Sequence, residues 1–484
     1  MKKLTYMDTR GSEYGISMNE VILRSTSKAG GLFIPEYIPS FSRASRCHPA
    51  NHKDYQSFLT TFLLEMGLDF HSSRLEKVIR EAYKPFWKQQ FLSLKEIGPN
   101  YLLNLHYGPT ESFKDYALAP MGGIINALLE DMDQKAIVLA ATSGDTGSAA
   151  LAGLGSDLVS VIVLYPHNRV SDIQERQMTY FAKQKESHAF SVKNSDFDYC
   201  QTTVKKVFND LDFATLLSQK GYLLLSANSI NWLRICIQTA YMAWITYIAK
   251  NAPTVVIPSG NSGHWLAAWY AKKMFGNELI GGIKIATNDN NILERVFTTG
   301  EHYPNGSTST TSPSMDIDIS SNFERPICHI LGVEKTANLY KNKSWKLTTE
   351  ELQLLNSEIP ADHVWSASQE KVAMTQYNIA TEYGITVDPH TATGLSILYG
   401  EGKVIGNHIF VSTANASKFL ESTVEAVLKQ KDIHAFSYVR ALNIETSDLT
   451  SRLFNLSADD VDKDRRVIKF DSHEELERII TILV

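Results

Sequence analysis

The spacing of hydrophobic positions changes near residue 95, and this change predicts two kinds of structure along the chain. Before that point, apolar residues recur at helical intervals, most clearly over residues 54–70 and 73–92. An S-x-x-E capping box begins at Ser17 and predicts a helix that runs to a stop at Gly30–Gly31. We therefore expect a mostly helical N-terminal domain over residues 1–95.

After residue 95, short apolar runs alternate with stretches of helical spacing. Runs with the length and composition of strands buried on both faces are YLLNLHY, AIVLAAT, VSVIVLY, GYLLLSA, TVVIPS, IKIAT and HIFVSTA. Because helical stretches follow most of them, the pattern predicts an α/β fold with parallel sheets. The Ser/Thr-rich segment 301–323 is predicted to be a loop. Beyond residue 425 we expect amphipathic helices and one strand, RVIKF.

Composition adds limits to this picture. The 484 residues are 43% hydrophobic and 21% charged, which suits two or three globular domains. A formal net charge of −6 gives no general attraction to nucleic acid or to anionic membranes. The cysteines lie far apart without a C-x-x-C pair, so we expect reduced thiols and no metal site. Neither a secretory signal nor an apolar run of about 18 residues is present, and we expect a cytoplasmic protein.

Three polar turns follow predicted strands, where ligands of parallel α/β sheets bind. They are TSGDTG at 142–147, PSGNSG at 258–263 and STANAS at 412–417. Small residues let backbone N–H groups face an anion, and the dipole of the following helix adds to the attraction. Each turn alone is as easily structural as functional. The sequence contains neither G-x-G-x-x-G nor G-x-x-x-x-G-K-[ST], so dinucleotide and P-loop sites lose their usual support.

Lys114 stands in GPTESFKDYALAP, at the predicted start of an apolar helix. An ammonium is mildly disfavoured there because the helix N-terminus has positive dipole character. A lysine, an anion-binding turn and a hydroxyl-bearing turn are together what a phosphorylated aldehyde cofactor needs. The lysine would form the Schiff base, the turn would hold the phosphate, and the hydroxyl would face the ring nitrogen.

The order of several motifs resembles that of the threonine synthases, specifically their longer bacterial and fungal branch. The motifs are YMDTRG, GPTESFKD, ATSGDTGSAA, NSINWLRI, IPSGNSG, IATNDNNIL, TSPSMDI, SSNFER, DPHTATG and STANASKF. The resemblance covers most of the chain and implies a fold-type II enzyme that depends on pyridoxal 5′-phosphate (PLP). Its catalytic region, 96–484, would comprise two parallel-sheet α/β lobes with the active site between them. The smaller lobe would span about 130–235, and the larger 96–129 and 236–484.

The resemblance also implies roles for individual residues. Lys114 would carry the cofactor and act as the catalytic base. The cofactor phosphate would be held by Gly260, Asn261, Ser262, Gly263 and His264, with Thr413 at the ring nitrogen. The substrate would be bound by Ser143, Asp145, Thr146, Asn228, Ser229 and Arg234. Other roles stay open for some of these residues: Arg234 could be a structural ion-pair partner, and Asp145 could be only a helix cap.

The implied reaction converts O-phospho-L-homoserine and water to L-threonine and phosphate, in a monomer or a homodimer. Where the family usually has His-Pro, this sequence has Asn415 and Ala416. This departure keeps open an alternative, a phospholyase that releases 2-oxobutyrate and phosphate from phosphohomoserine or phosphothreonine. A second alternative is a non-catalytic binding protein on a decayed enzyme scaffold, although the intact Lys114, Thr413 and Arg234 oppose it.

Overall fold

The computed structural model describes residues 3–185, 187–400, 406–430, 437–456 and 465–483. Contacts divide the chain into two compact units. The larger unit comprises Met1–Lys77, Lys88–Tyr107 and Ser229–Glu445, and the smaller unit comprises Val78–Trp87, Gly108–Asn228 and Thr446–Val484. The division into an N-terminal domain and two lobes drawn from the sequence stays a prediction.

The strands are β1 (Tyr6–Asp8), β2 (Phe33–Pro35), β3 (Ser93–Ile97), β4 (Asn100–Asn104), β5 (Lys135–Ala141), β6 (Val159–Pro166), β7 (His188–Val192), β8 (Tyr222–Ser226), β9 (Thr254–Pro258), β10 (Gly282–Thr287), β11 (Glu301–His302), β12 (Trp345–Lys346), β13 (Val364–Ser366), β14 (His408–Ser412) and β15 (Arg466–Ile468). All seven apolar runs identified in the sequence therefore contain a strand, and so does RVIKF.

The α-helices are α1 (Met18–Arg24), α2 (Tyr55–Glu65), α3 (Ser72–Tyr83), α4 (Asp115–Met132), α5 (Asp145–Leu154), α6 (Asp172–Gln184), α7 (Phe197–Asn209), α8 (Leu211–Gln219), α9 (Trp232–Ala249), α10 (Gly263–Phe275), α11 (Ile292–Thr299), α12 (Glu324–Leu331), α13 (Val333–Leu339), α14 (Thr349–Glu358), α15 (Gln369–Tyr383), α16 (Pro389–Leu395), α17 (Leu420–Leu428), α18 (Ser437–Ala441), α19 (Asp448–Phe454) and α20 (His473–Leu483). Within the described residues, no helix has the length and apolar character needed to span a membrane.

The larger unit is built on a sheet with the strand order β13-β10-β9-β14-β4-β3. Its strands are parallel except β3, which pairs antiparallel with β4. The central strands β9 and β14 carry the runs VVI and IFV, whose side chains are fully buried because helices cover the sheet. Since β9, β14 and β4 run in the same direction, the segments that follow them lie at one edge of the sheet.

The smaller unit has an all-parallel sheet with the order β15-β7-β6-β5-β8. Buried side chains of β5, β6 and β7 pack with those of α7, α8 and α20 in one apolar core. Helices alternate with parallel strands in both units, as the hydrophobic pattern predicts, and the α/β fold is confirmed.

The first helix ends earlier than the sequence predicts. Ser17 does cap α1 by accepting a hydrogen bond from the Glu20 backbone N–H, but the Glu20 carboxylate pairs with Arg24 at 2.9 Å. The helix stops at Arg24, where Ser25 takes a positive φ of 63°, and Thr26 then forms a β-bridge with Leu32. The prediction of a helix running to Gly30–Gly31 is therefore wrong, because the chain already folds back into a bridge there.

Candidate active site

Lys114 lies immediately before α4 in the smaller unit, and its side chain is buried, with 7% of the residue exposed. Its Nζ atom is 3.2 Å from Oδ2 of Asp145 and 4.7 Å from the ring centroid of Phe113. The segment before Lys114 is held by Asp115, whose carboxylate accepts hydrogen bonds from the backbone N–H and the hydroxyl of Thr110 at 2.9 and 2.7 Å. The lysine is thus a buried cation next to a buried carboxylate.

Asp145 begins α5, whose N-cap position is occupied by Gly144, and the Asp145 side chain makes two contacts away from that helix. While Oδ2 faces Lys114, Oδ1 accepts a hydrogen bond from Nε2 of Gln174 at 2.9 Å. The preceding residue, Gly144, has a φ of +127°, and a Cβ atom there would come 2.2 Å from the Gln174 side chain. The glycine is therefore required both for the backbone turn and for the approach of Gln174.

The other predicted residues of this turn, Ser143 and Thr146, are half-buried beside Asp145. The turn is fixed from within, because the Thr142 hydroxyl accepts hydrogen bonds from the N–H groups of Gly144 and Gly147 at 3.0 and 2.9 Å. The structure therefore brings Lys114, Ser143, Asp145 and Thr146 together in the smaller unit. Asn228 belongs to the same unit, at the end of the segment after β8, and its N–H donates to the Ser226 hydroxyl.

In the larger unit, the predicted phosphate-binding turn connects β9 to α10. Ser262 adopts a left-handed conformation with φ +61°, and its hydroxyl lies 2.5 Å from the hydroxyl of Ser320. Ser320 in turn donates a hydrogen bond to the Gly260 carbonyl at 2.9 Å. Because α10 begins at Gly263, the backbone N–H groups of its first turn emerge beside this turn, an arrangement that favours phosphate.

Asn322 joins this turn to the predicted substrate-binding segment. Its Nδ2 atom donates to the Asn261 carbonyl at 3.0 Å and to the Ser229 hydroxyl at 2.8 Å. A Cβ atom on Gly263 would lie 3.3 Å from the Ser229 side chain. The structure therefore places Ser229 directly against the predicted phosphate-binding turn.

Arg325 is fully buried and contacts Asn322 and the segment that follows Ser229. Its guanidinium donates to the Phe33 carbonyl at 2.9 Å, to the Ile230 carbonyl at 2.6 Å and to Oδ1 of Asn322. Burial lowers the pKa of Arg325 to about 10, which still leaves it charged at neutral pH. Arg325 thus fixes Asn322 and the segment of Ser229.

Arg234 and His264 are also buried in the larger unit. Burial lowers the pKa of Arg234 to about 10, so the side chain remains a cation at neutral pH. The hydroxyl of Tyr241 is hydrogen-bonded to Nε2 of His264 at 2.8 Å, and Tyr241 also interacts electrostatically with Arg234. A buried cation near the start of α10 favours an anionic ligand.

Thr413 follows β14 and lies at the same sheet edge as the turn after β9. Its backbone N–H donates to the Thr391 hydroxyl at 3.2 Å, and that hydroxyl donates to Asp388 at 2.8 Å. His390, in the first turn of α16, accepts a hydrogen bond from the Ser314 backbone N–H at 3.1 Å. The backbone at Thr413 is therefore held by a buried hydrogen-bonded pair, Asp388 and Thr391.

Asn415, at the position where the family usually has histidine, has structural contacts. Its Oδ1 accepts from the Ser417 N–H at 3.0 Å, and its Nδ2 donates to the Glu445 carbonyl at 2.7 Å. The side chain therefore caps the short helix Ala416–Phe419 and ties it to the segment at Glu445.

Comparisons with known proteins agree with these features. A family model described as threonine synthase N terminus matches residues 5–83. The threonine synthase of Eremothecium gossypii is 31% identical, over 97% of this chain and 98% of the relative. Among solved structures, PLP-bound threonine synthase from Brucella melitensis has a TM-score of 0.83 at 28% identity, covering 99% of both chains. Yeast threonine synthase has a TM-score of 0.82 at 28% identity, covering 99% of this chain and 98% of that chain.

These likenesses define the fold as that of the fold-type II PLP-dependent enzymes. More narrowly, the chain belongs to the threonine synthase family. The sequence resemblance is thereby confirmed over nearly the whole chain, and the comparisons do not favour the phospholyase alternative.

Proposed function

We propose that the protein is a PLP-dependent threonine synthase, which converts O-phospho-L-homoserine and water to L-threonine and phosphate. In reaction class it is a carbon–oxygen lyase that acts on a phosphate ester. The observation that carries the proposal is the buried Lys114, 3.2 Å from Asp145, in a chain that matches a threonine synthase over 97% of its length. A non-catalytic scaffold would have no need to keep this charged pair buried, because burying two charges is costly.

The residues of the chain fit PLP. Lys114 would bind the aldehyde, the N–H groups from Gly260 to His264 would hold the phosphate, and the Thr413 hydroxyl would face the ring nitrogen. A neutral hydroxyl at that position would leave the ring nitrogen largely unprotonated. When bound, PLP would supply an electron sink, which accepts the electron pair that remains when a proton is removed from a substrate carbon.

The remaining steps belong to side chains of this protein. Lys114 Nζ would remove the substrate Cα proton and then a Cβ proton, and Asp145 would hold that nitrogen in position. Ser143, Thr146 and the start of α5 would bind the substrate carboxylate. Asn228, Ser229 and Arg234 would bind the substrate phosphate, for which a guanidinium offers a matching fork of donors. The phosphate would then leave from Cγ, Cγ would take up a proton, the hydroxide part of water would add at Cβ, and a proton would return to Cα.

Product analysis tests the proposal. The purified protein, supplied with PLP and O-phospho-L-homoserine, should release threonine and phosphate in equal amounts. Release of 2-oxobutyrate in place of threonine would replace the proposal with a phospholyase, and absence of any product would leave a binding protein. Size-exclusion chromatography of the same sample would test the prediction of a monomer or homodimer, and cell fractionation that of a cytoplasmic location.

A further inference from the structure

Three side chains of the smaller unit that play no part in the proposed catalysis meet where α20 passes the junction of α7 and α8. Asp210 lies between α7 and α8, and His473 and Glu477 lie on α20. Each offers one potential metal-ligand atom, and these atoms all lie within 4.8 Å of one another. All three residues are half-buried.

Local structure holds the three groups in place. His473 and Glu477 are four residues apart, so they project from the same face of α20. On a neighbouring face of that helix, Leu476 and Ile480 are buried in the core with Phe213 of α8. Asp210 caps α8, since its Oδ1 accepts a hydrogen bond from the Phe213 N–H at 2.8 Å, and its carboxylate also offers a ligand atom to this cluster.

A separate observation points to a missing cation. Oε1 of Glu477 is buried and has no hydrogen-bond partner in the described part of the chain. A buried carboxylate oxygen without a donor is costly, and the neighbouring Asp210 carboxylate adds repulsion. Glu477 and Asp210 thus form an acidic pair whose two negative charges match a divalent ion.

We propose that Asp210, His473 and Glu477 bind a divalent transition-metal ion, for which Zn²⁺ is the best match. An imidazole with two carboxylates suits Zn²⁺, whereas Mg²⁺ and Ca²⁺ prefer oxygen ligands alone. The Glu474 carboxylate, 3.3 Å from Nδ1 of His473, would orient the ring as an outer hydrogen-bond acceptor. The ion would tie the C-terminal helix to the α7–α8 junction, a bracing role that is independent of the proposed reaction.

Zinc titration of the chelator-treated, full-length protein tests this site. Calorimetry should show one Zn²⁺ bound per chain, and the thermal midpoint should rise with Zn²⁺ concentration, because the ion binds the folded state. Glu477→Gln keeps the side-chain shape, and it should weaken binding at least about tenfold, as should His473→Gln. Absence of stoichiometric binding by the unmodified protein would overturn the proposal, whatever the variants do.

Glu475→Gln is the matched control, because it makes the same charge change at an exposed position of the same helix, outside the proposed site. It should bind Zn²⁺ with an affinity within about threefold of the unmodified protein, since an exposed charge outside the site is screened by solvent. The proposal fails if Glu475→Gln abolishes binding, or if Glu477→Gln, folded by circular dichroism, binds as the unmodified protein does.

Discussion

Oδ2 of Asp145 lies 3.2 Å from Nζ of Lys114, and both side chains are buried in the smaller unit. Two opposite charges held together out of water support each other, whereas either one alone carries a large desolvation cost. The predictions below begin from this pair.

Replacing Asp145 by alanine should destabilise the cofactor-free protein by about 3–5 kcal/mol, because Lys114 is left as a buried charge without this carboxylate. Urea unfolding measures the loss. Glu81→Ala is the control, since its ion pair with Lys84 at 2.7 Å is exposed on both sides and contributes about 1 kcal/mol or less. Equal losses for the two variants would contradict a special role for the buried pair.

Lys114→Ala should abolish covalent attachment of PLP and lower turnover by at least about a hundredfold, because the proton-transfer group is lost. Mass spectrometry of the borohydride-reduced protein should find the pyridoxyl group on the peptide that contains Lys114. Lys135→Ala removes an exposed lysine at the start of β5 and should leave labelling and turnover unchanged. A label on another lysine would refute the assignment.

Arg325→Met should destabilise the protein by about 3 kcal/mol or more, because it leaves buried acceptors on Phe33, Ile230 and Asn322 without their donor. Since Asn322 holds the Asn261 carbonyl, we also expect weaker PLP binding, measured by fluorescence titration. Arg325→Lys should not restore it, because one ammonium cannot reproduce the planar fork. Arg440→Met, on an exposed arginine of the same unit, serves as control and should change neither property.

Acid should destabilise the protein through His106. Burial lowers the pKa of His106 to about 4, from 6.5 in the unfolded chain. The unfolded state therefore binds a proton more readily between these values, and roughly 3 kcal/mol of stability is lost as the pH falls from 6.5 towards 4.

Unfolding free energies across that range, compared between the unmodified protein and His106→Gln, isolate this contribution. The variant should show the shallower pH dependence, whereas His71→Gln, at an exposed histidine, should follow the unmodified protein. Parallel curves for all three proteins would show that His106 takes up its proton equally well in both states.

The hydrophobic pattern was sufficient to predict the strands that are long, apolar and central, because burial on both faces leaves a clear signal. The strands that it missed include Ser93–Ile97, with two exposed charged residues, and the three-residue Val364–Ser366. It also missed His188–Val192, which is buried between β15 and β6 but carries His188 and Ser191 among its apolar residues. The end of α1 could not be predicted, because Thr26 forms a β-bridge with Leu32 and helical spacing carries no information about such a pairing.

The candidate site was predicted through motifs, and its supporting residues were not. Gln174 contacts Asp145 across 29 positions of sequence, and Asn322 contacts Asn261 across 61. Contacts at such separations arise only when the chain folds, so no local pattern marks the residues that make them.

Arg325 collects its acceptors from β2, from the segment before α9 and from the segment before α12. A shortened chain that starts beyond Pro35 would lack the first of these acceptors and disturb the other two. We therefore expect that removing the N-terminal residues weakens cofactor binding, although the residues that would bind the cofactor lie far along the sequence. The residues up to Pro35 thus support the candidate active site through Arg325, and a shortened enzyme would need new acceptors for that side chain.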